Sequence, residues 1–337
     1  MSVLAKKLSF PFTGNQPALP PTGHRTIPSQ QQVVTFYRTH ERVSWSLSEF
    51  LDMPWTNIQL DKLTPNDIQV LETTMLVESN NPDYVANLLR YFQADQDACD
   101  FLMMWGQEEW KHYYVLRDFL TKVRIAVAAK QSEGSTSEEE GARLKEIEIL
   151  TQRALDGEVE TVRQTSLTNW GIPAHYMPVQ LVASTTMQEF VTSEFYKHHA
   201  QRTQEPTLAR IELLLSKDEK RHEMFYEERV KALLAADPAL VEPVIAALKE
   251  FGMPGAYLLN GYDQQRAAME DAAFPAPADK KAAFVRVFTK MSRVIGKSSA
   301  MRVFTEGYYL SDGIEDPSRK KMRPELVTRM IERQLAA

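Results

Sequence analysis

Apolar residues recur from about residue 33 onward at the three- and four-residue spacings of an amphipathic helix. Two stretches show this period most clearly, and each carries polar residues at its centre. Their positions are Ala98, Leu102, Trp105, Glu109, His112, Leu116 and Phe119 in one, and Ile211, Leu215, Glu219, His222 and Tyr226 in the other. Alternating β-branched runs bounded by tight turns, which would indicate strands, are missing. The pattern predicts an all-α fold.

Interruptions of the period divide the chain into helices. Thr64 can cap a helix, Pro65 suits its first position, and Asp67 adds negative charge to the first turn. Residues 131–142 (QSEGSTSEEEGA) break the period and are predicted to form a solvated loop. The predicted helices cover about residues 65–93, 95–130, 143–165, 177–203 and 206–236. Pro82 lacks the N–H that would bond the carbonyl of residue 78, so we expect a bend there.

Two further regions complete the predicted domain organisation. Residues 1–30 are rich in Pro, Gly, Thr and Gln and have no helical period, which indicates an extended N-terminal arm. Residues 31–337 are predicted to form a single helical domain. Its C-terminal region, from about residue 238, contains shorter and less regular helices.

Composition narrows the classes of function. A net charge of -6 with interspersed signs argues against a general nucleic-acid binder, which normally presents a basic face. No stretch has the apolar core of a signal peptide or the roughly 20 apolar residues of a transmembrane segment, so a cytoplasmic location is expected. The single cysteine, Cys99, cannot form an intramolecular disulfide or a thiolate cluster. A bound metal would therefore need carboxylate and imidazole ligands.

The motif Glu-x-x-His occurs twice, at Glu109 with His112 and at Glu219 with His222. Residues three apart lie on one face of a helix, so both side chains can reach one metal. The motif alone is weak evidence. However, each copy sits at the centre of an apolar stripe, where a buried carboxylate is costly unless it is paired or bound to a cation.

Two more glutamates complete a repeated order along the chain. Glu78 lies 31 residues before Glu109, and Glu189 lies 30 residues before Glu219. Helical bundles that hold two metals draw one Glu from each of two helices and Glu-x-x-His from each of the other two. Iron suits such a mixture of carboxylate oxygen and imidazole nitrogen. The predicted ligands are Glu78, Glu109, His112, Glu189, Glu219 and His222.

At these residues the chain resembles the soluble acyl–acyl carrier protein desaturases. The similar segments read KDEKRHE at 217–223, MWGQEEWKH at 104–112, MQEFVT at 187–192 and LVESNNPDY at 76–84. The likeness extends over about residues 35–265. The chain departs from the family's usual residues within 76–84 and at Trp110-Lys111.

The resemblance implies a ferritin-like four-helix bundle core with additional flanking helices and two iron ions. It implies O2-dependent formation of a cis double bond in an acyl chain on acyl carrier protein, with electrons from a ferredoxin-type reductant. It also implies a homodimer. The alternative is a di-iron oxygenase, a hydroxylase or N-oxygenase, that acts on a carrier-bound or free metabolite. An iron-storage protein of the ferritin type is disfavoured because its subunits are much shorter.

Helix geometry and the resemblance together suggest supporting residues near the metal pair. Asp218 is expected from helix geometry to orient His112 through the free ring N–H. Trp45 resembles a family tryptophan on an electron path, and ordinary packing is its alternative role. Trp105 matches the family tryptophan four residues before the first motif. Thr192 is the candidate catalytic hydroxyl, and the alternative is a bond to the preceding turn of its own helix.

In this interpretation some charged residues on or near the second motif helix lie outside the metal site and face a partner protein or solvent. Lys220 and Arg221 are candidate contacts for an acidic carrier protein, and they are equally well explained as a solvated helix face. His198 and His199, near a helix end, are expected to be solvated or to complement the helix dipole.

Overall fold

A computed structural model describes residues 38, 40–93, 95–134, 137–157, 178–249 and 251–306. Within these ranges the chain folds into helices and contains no strand, which confirms the all-α prediction. The predicted arm at 1–30 and the second half of the helix predicted at 143–165 lie outside the described residues. The α-helices are α1 (Ser48–Leu51), α2 (Pro65–Glu78), α3 (Asn81–Phe92), α4 (Gln96–Ser132), α5 (Glu138–Leu155), α6 (Pro178–Ala200), α7 (Pro206–Ala236), α8 (Val241–Lys249), α9 (Gly255–Leu258), α10 (Tyr262–Ala273), α11 (Pro277–Ile295) and α12 (Lys297–Glu306).

The start of α2 follows from its first four residues. The Thr64 hydroxyl accepts from the Asp67 backbone N–H at 3.2 Å, and the Asp67 carboxylate accepts from the Thr64 backbone N–H at 2.8 Å. This reciprocal capping box satisfies two N–H groups that a helix end leaves without partners, and Pro65 occupies the first turn. The start that the sequence predicted at this point is confirmed.

The helix predicted over 65–93 is in fact two helices. α2 ends at Glu78 and α3 begins at Asn81, with Pro82 in the first turn of α3. The missing N–H of Pro82 removes the hydrogen bond that would have continued the helix through residue 78. The consequence is more than a bend, because Glu78 becomes the last residue of its helix.

The loop between α4 and α5 is shorter than predicted. α4 continues to Ser132, and α5 already begins at Glu138. The Ser137 hydroxyl accepts from the Glu140 backbone N–H at 3.2 Å, so the run of glutamates forms a first helical turn rather than a loop. Acidic residues are favourable there because the helix N-terminus carries partial positive charge.

Four helices form the centre of the molecule: α2, α4, α6 and α7. α6 packs along α7, α2 packs on α4, and α4 packs on α7. α5 covers α2 and α4, and α11 covers α6 and α7. This arrangement is compatible with a ferritin-like core surrounded by flanking helices. Every member of the two stripes identified in the sequence is buried.

The polarity of the helices bears on membrane association. Among the described residues, no helix combines the length and the apolar character needed to cross a lipid bilayer. The longest, α4, has 37 residues but carries charged side chains along its length.

Candidate metal centre

Each of the four central helices brings a buried carboxylate to one place. Glu78 comes from the end of α2 and Glu189 from the middle of α6, while the Glu-x-x-His motifs occupy α4 and α7. The potential ligand atoms fall into two groups, and within each group they lie within 4.8 Å of one another. Both groups contain Glu109 and Glu219. The first group adds Glu78 and His112, and the second adds Glu189 and His222.

Distances from the imidazoles show how the groups overlap. Nδ1 of His112 lies 3.4 Å from Oε2 of Glu109 and 3.6 Å from Oε1 of Glu219. Nδ1 of His222 lies 3.2 Å from Oε1 of Glu109 and 3.0 Å from Oε2 of Glu219. Glu109 and Glu219 therefore each direct one carboxylate oxygen towards His112 and the other towards His222. Two cations placed beside the two histidines would share both carboxylates.

The outer nitrogen of each histidine is held by a further carboxylate. Nε2 of His112 lies 3.2 Å from Oδ2 of Asp218, and Nε2 of His222 lies 2.8 Å from Oε2 of Glu108. An ionised carboxylate only accepts hydrogen bonds, so Nε2 carries the proton in both rings. The unprotonated Nδ1 of a neutral ring then faces the cluster, which is the tautomer that a metal requires.

The cluster has the properties of a cation site. Its four glutamates are buried, with exposed fractions between 1 % and 7 %. Nδ1 of His112 and Oε1 of Glu189 are buried and have no hydrogen-bond partner among the described residues. Orphaned buried acceptors of this kind are costly, and a metal ion would satisfy both of them. Carboxylate oxygen with imidazole nitrogen is also a donor set that suits iron.

Burial and neighbouring charges shift the pKa values of the cluster acids. Burial, reinforced by Glu109, raises the pKa of Glu78 well above its ordinary value. Burial and the neighbouring Glu219 similarly raise the pKa of Glu189. Burial also acts on Glu109, but the adjacent His112 and His222 outweigh it and hold the pKa of Glu109 well below its ordinary value. A bound cation would replace the protons that Glu78 and Glu189 otherwise retain.

A network outside the ligands links the two histidines. Trp45 Nε1 donates to Oδ2 of Asp218 at 2.7 Å, and the ammonium of Lys111 lies 4.4 Å from the centre of the Trp45 ring. Arg221 bonds to Asp218 at 2.6 Å and also to Glu108, so one guanidinium joins the carboxylates behind both histidines. The contact expected between Asp218 and His112 is present. The carrier contact predicted for Arg221 stays a prediction, and this guanidinium already binds two buried carboxylates.

The sequence analysis missed Glu108. A signal for it exists: Glu108 directly precedes the ligand Glu109, just as Asp218 directly precedes the ligand Glu219. The same offset on two facing helices places the two carboxylates behind the opposite histidines. Glu108 also contacts Nδ1 of His40 at 3.1 Å.

Tyr196 was missed as well. Its hydroxyl donates to Oε1 of Glu78 at 2.7 Å, and its side chain is buried. Tyr196 follows Glu189 by seven residues, which is two helical turns along the same face of α6. The spacing was visible in the sequence, but the partner on α2 was not.

The remaining predicted site residues lie near the cluster in different ways. Trp105 is buried, and its ring centre lies 6.3 Å from that of His222 in an edge-on arrangement. The Thr192 hydroxyl donates to the backbone carbonyl of Gln188 at 2.9 Å, which is the local bond considered as its alternative role. The catalytic role of Thr192 therefore stays a prediction. Lys220 is half exposed and pairs with the buried Glu223.

A narrow cavity lies beside the cluster, between α3, α4 and α6. It has room for about one water molecule. One face of α3, from Tyr84 to Tyr91, forms one wall, and a face of α6 that ends at Gln188 forms another. Trp105 forms part of the lining and also faces His222, so the cavity adjoins the candidate metal centre.

Comparison with known proteins agrees with this geometry. The chain is similar to the family model described as fatty acid desaturase, which matches residues 55–276. That span covers about two thirds of the chain and includes all six candidate ligands. A search of curated proteins found no match.

Proposed function

Because this chain belongs to the fatty acid desaturase family, we propose that it is an O2-dependent di-iron oxidase that introduces a cis double bond into an acyl chain carried on acyl carrier protein. Family membership supports an oxidoreductase of the desaturase type. One structural observation carries the finer proposal: two groups of potential ligands overlap in Glu109 and Glu219. This overlap suits a pair of metal ions that share two carboxylates.

In this proposal Glu78 with His112 and Glu189 with His222 would hold the iron ions, together with Glu109 and Glu219, which belong to both groups of potential ligands. Two iron ions bound there would supply activation of O2 for removal of hydrogen from an unactivated C–H bond. The protein surrounds the site with buried side chains and so excludes water from the reacting atoms. Asp218 and Glu108 hold each imidazole with Nδ1 directed inward.

Electron balance requires an external reductant. Converting one CH2–CH2 unit to CH=CH removes two hydrogens, whereas reducing O2 to two waters consumes four electrons and four protons. Two electrons and two protons must therefore come from outside, and we propose a ferredoxin-type protein as the electron donor. The hydrogen-bonded series Trp45, Asp218 and His112 is a candidate path for those electrons.

Partner proteins follow from the same proposal. An acyl carrier protein is acidic, so its docking site should present basic side chains. Lys220 remains a candidate contact because nearly half of its side chain is exposed. We also propose that the chain works as a homodimer.

The test is product analysis with a complete reaction mixture. Iron-loaded protein is incubated with O2, reduced ferredoxin and a panel of acyl carriers, and the products are weighed by mass spectrometry. Loss of two hydrogens supports the proposal, whereas gain of one oxygen atom would replace desaturation by hydroxylation. Matched mixtures without O2 or without reductant should give no product. Binding of many iron atoms per chain, in place of two, would overturn the enzyme interpretation.

A further inference from the structure

The two halves of the candidate metal centre differ at the glutamate that each half contributes alone. Glu78 is the last residue of α2, whereas Glu189 lies in the middle of α6. Tyr196, also on α6, bonds to Glu78. We propose that Tyr196 is a positioning residue for the half formed by Glu78 and His112, because its hydroxyl holds Glu78 in the orientation that binds a metal ion. This inference rests on the proposed function, since it concerns the same metal pair.

The phenol of Tyr196 contacts the carboxylate oxygen that faces the histidine. Its hydroxyl donates to Oε1 of Glu78 at 2.7 Å, and the same oxygen lies 3.9 Å from Nδ1 of His112. An ionised carboxylate offers about four lone-pair positions, so Glu78 can accept from Tyr196 and still bind a cation. Tyr196 is 1 % exposed and Glu78 is 7 % exposed, so bulk water has little access to this bond.

The end of α2 explains why Glu78 needs such an anchor. The helix stops at Glu78, and Pro82 has no N–H to offer the backbone carbonyl of Glu78. The last residues of a helix are held by fewer backbone hydrogen bonds than those in its middle, and helix ends fray. A bond from α6 restricts the Glu78 side chain. A neighbouring group that orients a metal ligand in this way increases metal affinity.

The half of the centre formed by Glu189 and His222 has no equivalent bond. Oε1 of Glu189 is buried and has no hydrogen-bond partner among the described residues. Tyr196 follows Glu189 by seven residues, whereas the residue seven positions after Glu78 is a valine, which cannot donate. Loss of the Tyr196 hydroxyl should therefore weaken one of the two metal sites and spare the other.

Stepwise binding of Co²⁺, a redox-stable substitute for ferrous iron, to the full chain tests the inference. The wild type should bind two ions per chain, one for each group of potential ligands. Tyr196→Phe deletes only the hydroxyl, so it should bind one ion as the wild type does and the other about 10- to 100-fold more weakly.

Tyr226→Phe is the matched control. Tyr226 follows the candidate ligand Glu219 by seven residues and is as buried as Tyr196. Its hydroxyl has no hydrogen-bond partner among the described residues, so the substitution removes no bond to a ligand. This variant should bind both ions with the affinities of the wild type.

The visible absorption of bound Co²⁺ depends on its ligands and identifies the half that is spared. At one ion per chain, Tyr196→Phe should give the spectrum of His112→Ala, in which the half with Glu189 remains. A match with His222→Ala instead would overturn the inference. Equal weakening of both ions would overturn it as well. A lowered melting temperature with both ions bound as in the wild type would show that the bond stabilises only the fold.

Co²⁺ binding needs neither O2 nor an acyl carrier, so the outcomes separate this inference from the proposed function. If Tyr196→Phe binds both ions as the wild type does while the wild type forms a double bond, the proposed function stands and the inference is overturned. If Tyr196→Phe weakens only one site but the iron-loaded wild type gives no product, the inference stands and the proposed reaction fails. If the wild type binds fewer than two ions, both are overturned.

Discussion

Two buried clusters of acidic residues and histidine lie along the same helices and solve the problem of buried charge in different ways. One is the candidate metal centre. The other, the His199 cluster, consists of Asp67 on α2, His199 on α6 and Glu212 on α7. All three residues are at most 4 % exposed. Glu212 precedes the candidate ligand Glu219 by seven residues, which places both on one face of α7.

The His199 cluster is complete without a cation. Nε2 of His199 lies 3.2 Å from Oδ1 of Asp67, and Nδ1 lies 2.6 Å from Oε1 of Glu212. Burial opposes protonation of the ring, but Glu212 and Asp67 outweigh it and raise the pKa of His199 to about 10. Burial alone would raise the pKa of Asp67, but hydrogen bonds from His199 and Thr64 lower it. An imidazolium is therefore held between two carboxylates on opposite sides.

The candidate metal centre differs from the His199 cluster in its balance of acidic and basic groups and in its geometry. Four glutamates face two histidines there, and Nδ1 of His112 and Oε1 of Glu189 have no hydrogen-bond partner among the described residues. Carboxylates in the His199 cluster lie on either side of one ring, so a single ion cannot contact them and the ring together. The comparison teaches that unsatisfied convergent atoms, rather than acidic residues and histidine as such, indicate a metal site.

The largest effect should follow from removing a shared ligand. Glu219→Ala deprives both potential ligand groups of an oxygen, so we expect iron binding well below the wild-type ratio. Activity should fall about 1000-fold or more, equivalent to about 4 kcal/mol of barrier. Iron content per chain and product formation measure the two effects.

Glu212→Gln is the matched control on the same face of α7. It should lower stability while leaving the iron content unchanged. Equal loss of iron in Glu219→Ala and Glu212→Gln would contradict the conclusion that only one of the two clusters is a metal site and that the His199 cluster is a structural ion pair network.

A second substitution should destabilise the fold without affecting the metal. His199→Ala leaves two buried carboxylates without their cation, which typically costs about 3 to 5 kcal/mol. The folded-state pKa of His199 is raised, so its contribution is complete below about pH 6.5 and is lost as the pH rises towards about 10. The difference in unfolding free energy between wild type and variant should therefore narrow over that interval.

Urea unfolding at several pH values measures this difference. Glu205 is a further buried acid near Asp67, and it remains in both proteins. His198→Ala, one residue away at a partly exposed site, should cost much less. A difference that stays constant from pH 6 to pH 10 would show that His199 is not held as an imidazolium.

The six candidate ligands were accessible from sequence because their signals are local. The Glu-x-x-His spacing and the position of Glu109 within an apolar stripe depend only on helical geometry. The all-α fold followed from the same period. The predicted helix bounds were wrong where a single residue ended a helix, as at Pro82, because the periodicity of apolar residues continues across such a break.

The His199 cluster could not be predicted from the sequence in this way. His199 was expected to be solvated or to complement the helix dipole. Solvation was wrong, because its side chain is 1 % exposed. Its position in the last turn of α6 is compatible with the second expectation. Its partners Asp67 and Glu212 lie on other helices, and no local spacing relates the three residues. Which residues meet across a bundle depends on how the helices pack, and one sequence does not determine that.

The smallest of these effects should come from the carboxylates behind the ligand histidines. Asp218→Asn and Glu108→Gln keep the size of each side chain but remove the charge that accepts the hydrogen bond from Nε2 of His112 or His222. Iron affinity should fall about 10- to 100-fold in each variant, because each carboxylate orients its histidine ring and increases the basicity of that ring. Competition with a chelator of known affinity measures the change. Asp218→Asn should also weaken the bond from Trp45. Glu49→Gln, an exposed carboxylate that pairs with Arg210, is the control and should bind iron as the wild type does. If Asp218→Asn alone weakened iron binding, Glu108 would not hold His222 in the way that Asp218 holds His112, and the symmetry between the two halves of the centre would be broken.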